Sequence, residues 1–141
     1  MSDVIFVCTG NTCRSPMAEA IAKSLKPEAV FSSMGVMAAE GCPASANARR
    51  AMEDVGLSLD SFRSSKLDEK KLMEAKLVLT MTKGHLKHVK ALCPSSNAHT
   101  LAEYAGETGD VADPFGGNLE EYMEVAKKIK SLILLCLERA G

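Results

Sequence analysis

Two hydrophobic periods alternate along this chain. Val4-Ile5-Phe6-Val7 is a continuous apolar run rich in β-branched side chains, the pattern of a strand covered on both faces of a parallel sheet. Shorter runs of the same kind at Val30 to Ser33, Leu77 to Met81 and Ala98 to Leu101 predict three more strands. Between them lie stretches with helical spacing: Pro16 to Leu25, Ser45 to Val55 before Gly56, Asp68 to Glu74, and Thr82 to Leu92. The last helix has the clearest pattern, because Leu119, Tyr122, Ala126, Ile129, Ile133 and Leu137 form one apolar stripe behind Asn118, a favoured N-cap type. Strands and helices that alternate in this way predict an α/β fold, a parallel sheet with helices on both faces. No repeat, linker or low-complexity segment interrupts the pattern, so residues 1–141 are expected to form one domain.

Composition narrows the function classes. At 141 residues and 15.0 kDa the chain is long enough to bury an ordinary core. A formal net charge of −1 argues against binding nucleic acid or an anionic membrane through bulk electrostatics. The longest apolar run, Leu132 to Leu137, is far too short to span a bilayer, and Met-Ser-Asp leads directly into the first strand, so a cytoplasmic protein is expected. The odd count of five cysteines suits a reducing compartment, and their spacing suggests no zinc site.

The chemistry is concentrated just after the first strand. The strand delivers Cys8 to a carboxyl edge of the sheet, where ligands bind in open α/β folds, and Arg14 follows six positions later at the opening of a helix. The five intervening residues allow the backbone N–H groups of Thr9 to Arg14 to curl inward as an anion-binding nest. Gly10 and Asn11 are the residue types that tolerate strained backbone there. Ser15 suits a helix N-cap and Pro16 the first helical position. The nest, the helix dipole and Arg14 together favour the thiolate of Cys8, a nucleophile at neutral pH. The planar fork of Arg14 matches two oxygens of a phosphoryl group and can follow their charge into a loose transition state.

A covalent phosphoryl route also needs a proton donor for the leaving group. Asp113, in Ala112-Asp113-Pro114-Phe115-Gly116-Gly117, precedes a proline that holds it extended, on a loop whose glycines permit an unusual path. It can protonate the departing atom in one step and activate water in the next. Asp-Pro alone is a weak signal, and its weight comes from the pairing with the N-terminal loop.

With a Cys-x5-Arg-Ser loop at Cys8 to Ser15 and a distant Asp113-Pro114, the chain resembles the low-molecular-weight protein tyrosine phosphatases over essentially its whole length. The resemblance implies a flavodoxin-like three-layer sandwich with a four-stranded parallel sheet in the order 2-1-3-4. It implies Cys8 as nucleophile, Arg14 as phosphate clamp and Asp113 as acid and base. Asn11 would hold the strained loop, Ser15 would donate to the thiolate and Ser33 would brace Asn11. Phosphorylated proteins would be the substrates and inorganic phosphate the product, with no cofactor or metal and a monomeric state.

Within the family, Thr12 and the sequence Phe115-Gly116-Gly117 depart from tyrosine-directed members, which carry an aliphatic residue and a pair of aromatics at these places. The combination resembles the bacterial protein-arginine phosphatases. A hydroxyl at Thr12 can meet a polar guanidinium, and the single ring of Phe115 suffices for a thin planar group. Thr9, Gly10, Asn11, Thr12, Cys13, Ser15 and Phe115 are therefore the expected substrate-binding set, with phosphotyrosine the alternative substrate. Arsenate reductases share the loop but need further cysteines near the third strand, where this chain has Thr80-Met81-Thr82-Lys83. A non-enzymatic phosphoresidue-binding module would lack the arginine or the acid. Cys13 could form a reversible disulfide with Cys8 or simply pack beneath the loop. His85, His88 and the lysines Lys83, Lys87 and Lys90 are expected to be solvated, and Cys42 and Cys136 to be packing residues.

Overall fold

The computed structural model describes residues 2–140, with side chains to residue 138. Four parallel strands, β1 (Val4–Cys8), β2 (Phe31–Gly35), β3 (Leu77–Thr80) and β4 (Ala98–Thr100), form one sheet in the order β2-β1-β3-β4. Among the described residues, six helices connect and follow them: α1 (Arg14–Leu25), α2 (Ala46–Glu53), α3 (Glu69–Glu74), α4 (Lys83–Leu92), α5 (Leu101–Tyr104) and α6 (Leu119–Ala140).

Side-chain alternation along the strands divides the core into two layers. Phe6, Cys8, Phe31 and Leu79 pack with the inner faces of α1, α2, α5 and α6, while Ile5, Val7, Met34 and Val78 pack with Leu72 of α3 and Val89 of α4. The expected three-layer architecture and strand order are thus present. Cys8 shares the face of Phe6, so it opens toward the start of α1.

The element boundaries differ from expectation where tertiary contacts decide them. β1 and β2 run on to Cys8 and Gly35, which pair with each other across the sheet. Leu101 does not extend β4 but begins the short helix α5, because Thr100 turns its hydroxyl onto the Glu103 amide and caps it. α2 stops at Glu53, and the chain turns through Gly56 at φ 80°. α6 starts as expected. Asn118 Oδ1 accepts from Glu121 N at 3.0 Å and Asn118 N donates to Glu121 Oε1 at 3.4 Å, a reciprocal cap.

Candidate active site

The end of β1 and the start of α1 close a tight loop around an inward-facing ring of amides. Its carbonyls point away from the ring: Thr9 O accepts from Met37 N at 2.9 Å, Thr12 O from Ser45 N at 2.9 Å and Cys13 O from Met17 N at 3.3 Å. Among the described residues, the amides of Gly10, Asn11, Thr12 and Cys13 donate to no backbone or side-chain acceptor. Four donors converging without an acceptor form the nest that an oxyanion fills.

Asn11 is the strained residue, at φ 56°, and Gly10 is not. The expectation for Gly10 is therefore corrected: a Cβ there would meet only Thr12 Oγ1 at 3.6 Å, so neither conformation nor crowding from the protein demands glycine. Asn11 is completely buried, and its amide ties together the hydroxyls around the sulfur. Asn11 Oδ1 accepts from Ser65 N at 2.8 Å, so Nδ2 donates to both Ser15 Oγ at 2.7 Å and Ser33 Oγ at 2.9 Å. Ser33 passes its own proton to Glu19 Oε1 at 2.8 Å, and Lys23 closes the chain on the other Glu19 oxygen at 2.7 Å. Ser15 Oγ, receiving from Asn11, lies 2.8 Å from Cys8 Sγ, and toward a thiolate only the serine of this pair can donate. A donor fixed on sulfur stabilises negative charge there.

Ser15 therefore does not cap α1, as its sequence position suggested. The helix begins two residues earlier than expected, at Arg14, with Cys13 in the cap position and no side-chain cap bond. The first-turn amides are left for a ligand, and the serine is free to serve the cysteine. Ser33 braces Asn11 as expected, while Met34 turns into the opposite core layer.

Arg14 is 4% exposed, so its guanidinium is held among fixed partners. Nη1 donates to Val111 O at 2.9 Å, and Nη2 lies 3.4 Å from Thr9 Oγ1 and 3.7 Å from Asp113 Oδ2. The loop after α5 thus reaches across the sheet edge to the arginine. Asp113 is half-exposed, and its Oδ1 accepts from Phe115 N at 3.0 Å, which points the carboxyl from the turn toward the pocket. Cys8, Thr9, Gly10, Thr12, Cys13, Arg14, Asp113 and Phe115 line a single cavity of about 240 Å³. Phe115 is 78% exposed at its mouth. A larger hollow of about 410 Å³ lies among Asp3, Phe31, Lys76 and Leu137, none of which lines the cysteine cavity.

Cys13 is buried in a polar bracket, with Tyr122 Oη at 3.4 Å and Ser45 Oγ at 3.5 Å from its sulfur. Burial and the Cys13 contact push the Tyr122 hydroxyl above its usual range. Cys136 is buried as expected, whereas Cys42 is half-exposed. His85 is corrected outright. It is only 6% exposed, its Nε2 lies 2.8 Å from Thr9 Oγ1, and burial together with neighbouring Arg14 lowers its pKa to about 4. Helical spacing could have revealed this, since Leu86 and Val89 mark the inner face of α4 beside it. Among the described residues, no cluster of His, Cys, Asp or Glu could hold a metal ion and no helix is long and apolar enough to cross a membrane.

A buried thiol facing a ring of free amides, with an arginine and a carboxylate beside it, defines a cysteine-dependent phosphoryl-transfer site. The chain matches the family model described as low molecular weight phosphotyrosine protein phosphatase over residues 3–138, and it belongs to that family. It is a cysteine-dependent protein phosphatase. It is 40% identical over 134 residues to a protein-arginine-phosphatase from Geobacillus stearothermophilus, covering 92% of this chain and 90% of that protein. It is 39% identical over 132 residues to the low-molecular-weight protein-tyrosine-phosphatase PtpB of Staphylococcus epidermidis, covering 92% and 93%. A solved cysteine-to-serine mutant of the YwlE arginine phosphatase, with its active-site serine phosphorylated, superposes with a TM-score of 0.92 at 36% identity, covering 96% and 93%.

Proposed function

We propose that this protein hydrolyses phosphoarginine in proteins through a cysteinyl-phosphate intermediate, with Cys8 as nucleophile, Arg14 as clamp and Asp113 as acid and base. The observation that carries the catalytic assignment is the hydrogen-bond chain from Ser65 N through Asn11 and Ser15 to Cys8 Sγ, beneath the loop amides of Gly10 to Cys13, which among the described residues have no acceptor. In the first step the Cys8 thiolate attacks phosphorus, the P–N bond breaks, and the carboxylic acid of Asp113 gives its proton to the leaving nitrogen. In the second, water attacks the S–P bond, the Asp113 carboxylate takes a proton from it, and inorganic phosphate and the thiolate are released. A guanidine leaves poorly as an anion, so protonation must accompany P–N cleavage. As negative charge spreads over the phosphoryl oxygens, the loop amides and Arg14 meet it with donors already in place.

Thr12 supports arginine over tyrosine. Thr12 lines the cavity, where an aliphatic residue would offer only a surface for a ring, and the glycines after Phe115 leave one aromatic at the mouth. The name of the Geobacillus relative agrees with this reading. Phosphotyrosine is the second reading, favoured by the names of the staphylococcal relatives and by the exposed ring of Phe115. The proposal includes one monomeric domain across the chain acting in the cytoplasm.

Turnover of a chromogenic aryl phosphate tests the assignments directly. The wild type should be active, Cys8→Ser should abolish activity, and Asp113→Asn should lower it about 100-fold. Equal rates in all three would refute the roles. For the substrate, phosphoarginine and phosphotyrosine peptides should be compared in the wild type and in Thr12→Ile. The substitution should move preference about 10-fold or more toward phosphotyrosine, and a wild type that prefers phosphotyrosine from the outset defeats the arginine reading.

A further inference from the structure

His85 stands outside the catalytic set, yet α4 buries it against the phosphate loop. Thr82 caps α4 by accepting from His85 N at 3.1 Å, so the first turn of the helix carries the imidazole to Thr9. Thr9 Oγ1 then has two neighbours: Nε2 of His85 at 2.8 Å and Nη2 of Arg14 at 3.4 Å. Arginine can only donate, so Thr9 accepts from that side. The direction of the other bond depends on the histidine tautomer.

Nδ1 of His85 is buried and has no hydrogen-bond partner among the described residues. If it carried the proton, an N–H group would be stranded in the interior, the costlier of the two ways to leave an atom unpaired. The favoured tautomer therefore protonates Nε2, which donates to Thr9 Oγ1. Both lone pairs of the threonine are then occupied, by His85 and by Arg14. Its own proton has one open direction, the cavity that Thr9 lines beside Cys8 and Arg14.

The geometry points to His85 as a positioning residue that turns the Thr9 hydroxyl into a phosphoryl-oxygen donor and seats the guanidinium of Arg14. In this arrangement the cavity offers a side-chain O–H in addition to its ring of amides. An imidazolium would instead add a cation beside Arg14 in a buried setting, and the low pKa of His85 keeps the ring neutral across the physiological range. This role rests on the phosphatase reading above only in naming the phosphoryl group as the bound anion.

The direct readout is the ¹⁵N spectrum of the wild-type histidines near neutral pH, where His85 should show the Nε2–H tautomer; the Nδ1–H tautomer would overturn the proposal. Binding of inorganic phosphate, followed by titration, supplies a second readout that needs no turnover. His85→Leu and Thr9→Val should each weaken phosphate about 10-fold, and His85→Gln, whose amide N–H can reach the Nε2 position, should restore most of the affinity. The decisive comparison is the double variant: His85→Leu should cost nothing further once Thr9 is valine. Independent, additive losses in the two variants, or a His85→Gln protein as weak as His85→Leu, would show a packing role and sink the inference. Should the wild type bind phosphate but turn over no phosphoester or phosphoramidate, the catalytic reading fails while the His85 measurement still stands.

Discussion

At the scale of single residues, two side chains and one missing side chain set the site. Asn11 combines a left-handed backbone with an amide whose two N–H groups go to Ser15 and Ser33 and whose oxygen accepts from Ser65, which is why the position of Ser15 is not left to chance. Gly35, at the end of β2, is required by space. A Cβ there would lie 2.5 Å from Thr9 O and 2.8 Å from Asn11 N, and both of those atoms are backbone that cannot swing aside. Gly35→Ala should push the phosphate loop out of register and lower kcat/KM more than about 100-fold, even if the protein remains folded. Steady-state rates beside a circular-dichroism melt would check this. Near-normal turnover would mean that the loop can give way.

At the scale of elements, helix starts do more than begin helices. α1 opens without a side-chain cap, which keeps its first amides available to an anion, whereas α2, α3, α4 and α5 are all capped by serine, aspartate or threonine. The reciprocal cap at Asn118 and Glu121 anchors α6 just after the acid loop, so its loss should be felt twice. Asn118→Ala should cost about 1 kcal/mol and lower Tm by about 3 °C, while Asn118→Asp should retain most of the stability. Thermal melts of the two variants decide it. Equal melting temperatures in Ala and Asp would show that the cap contributes nothing.

Over the whole molecule, the sheet edge gathers groups that lie far apart in the chain, and this has a cost that depends on pH. His85 titrates near 4 in the folded protein against an ordinary 6.5. Between those values the unfolded chain binds a proton that the native state refuses, so stability contributed by the neutral ring is intact above 6.5 and is lost as pH falls toward 4. Urea midpoints should decline across that window in the wild type and more shallowly in His85→Gln. Parallel declines would assign the effect to other groups. The parallel sheet with helices on both faces was legible in the sequence because it follows from hydrophobic period, whereas the strand order came with the family resemblance; Cys8 and Arg14 stood out as candidates through spacing within one loop, and Asp113 only through its pairing with that loop. The start of α1 misled, since Ser15 is a good cap by type but is claimed by Cys8 and Asn11, partners that only the folded loop supplies. Likewise His85 lies on a lysine-rich stretch that reads as solvated, and only the packing of α4 against the end of β1 buries it. What the sequence by itself determined was which groups could do the chemistry, because period and spacing are properties of neighbours along the chain. What the tertiary structure decided was where their protons point, because a hydrogen bond's direction depends on partners brought together from Thr9, Ser33, Ser65, His85 and Val111, which no local pattern connects.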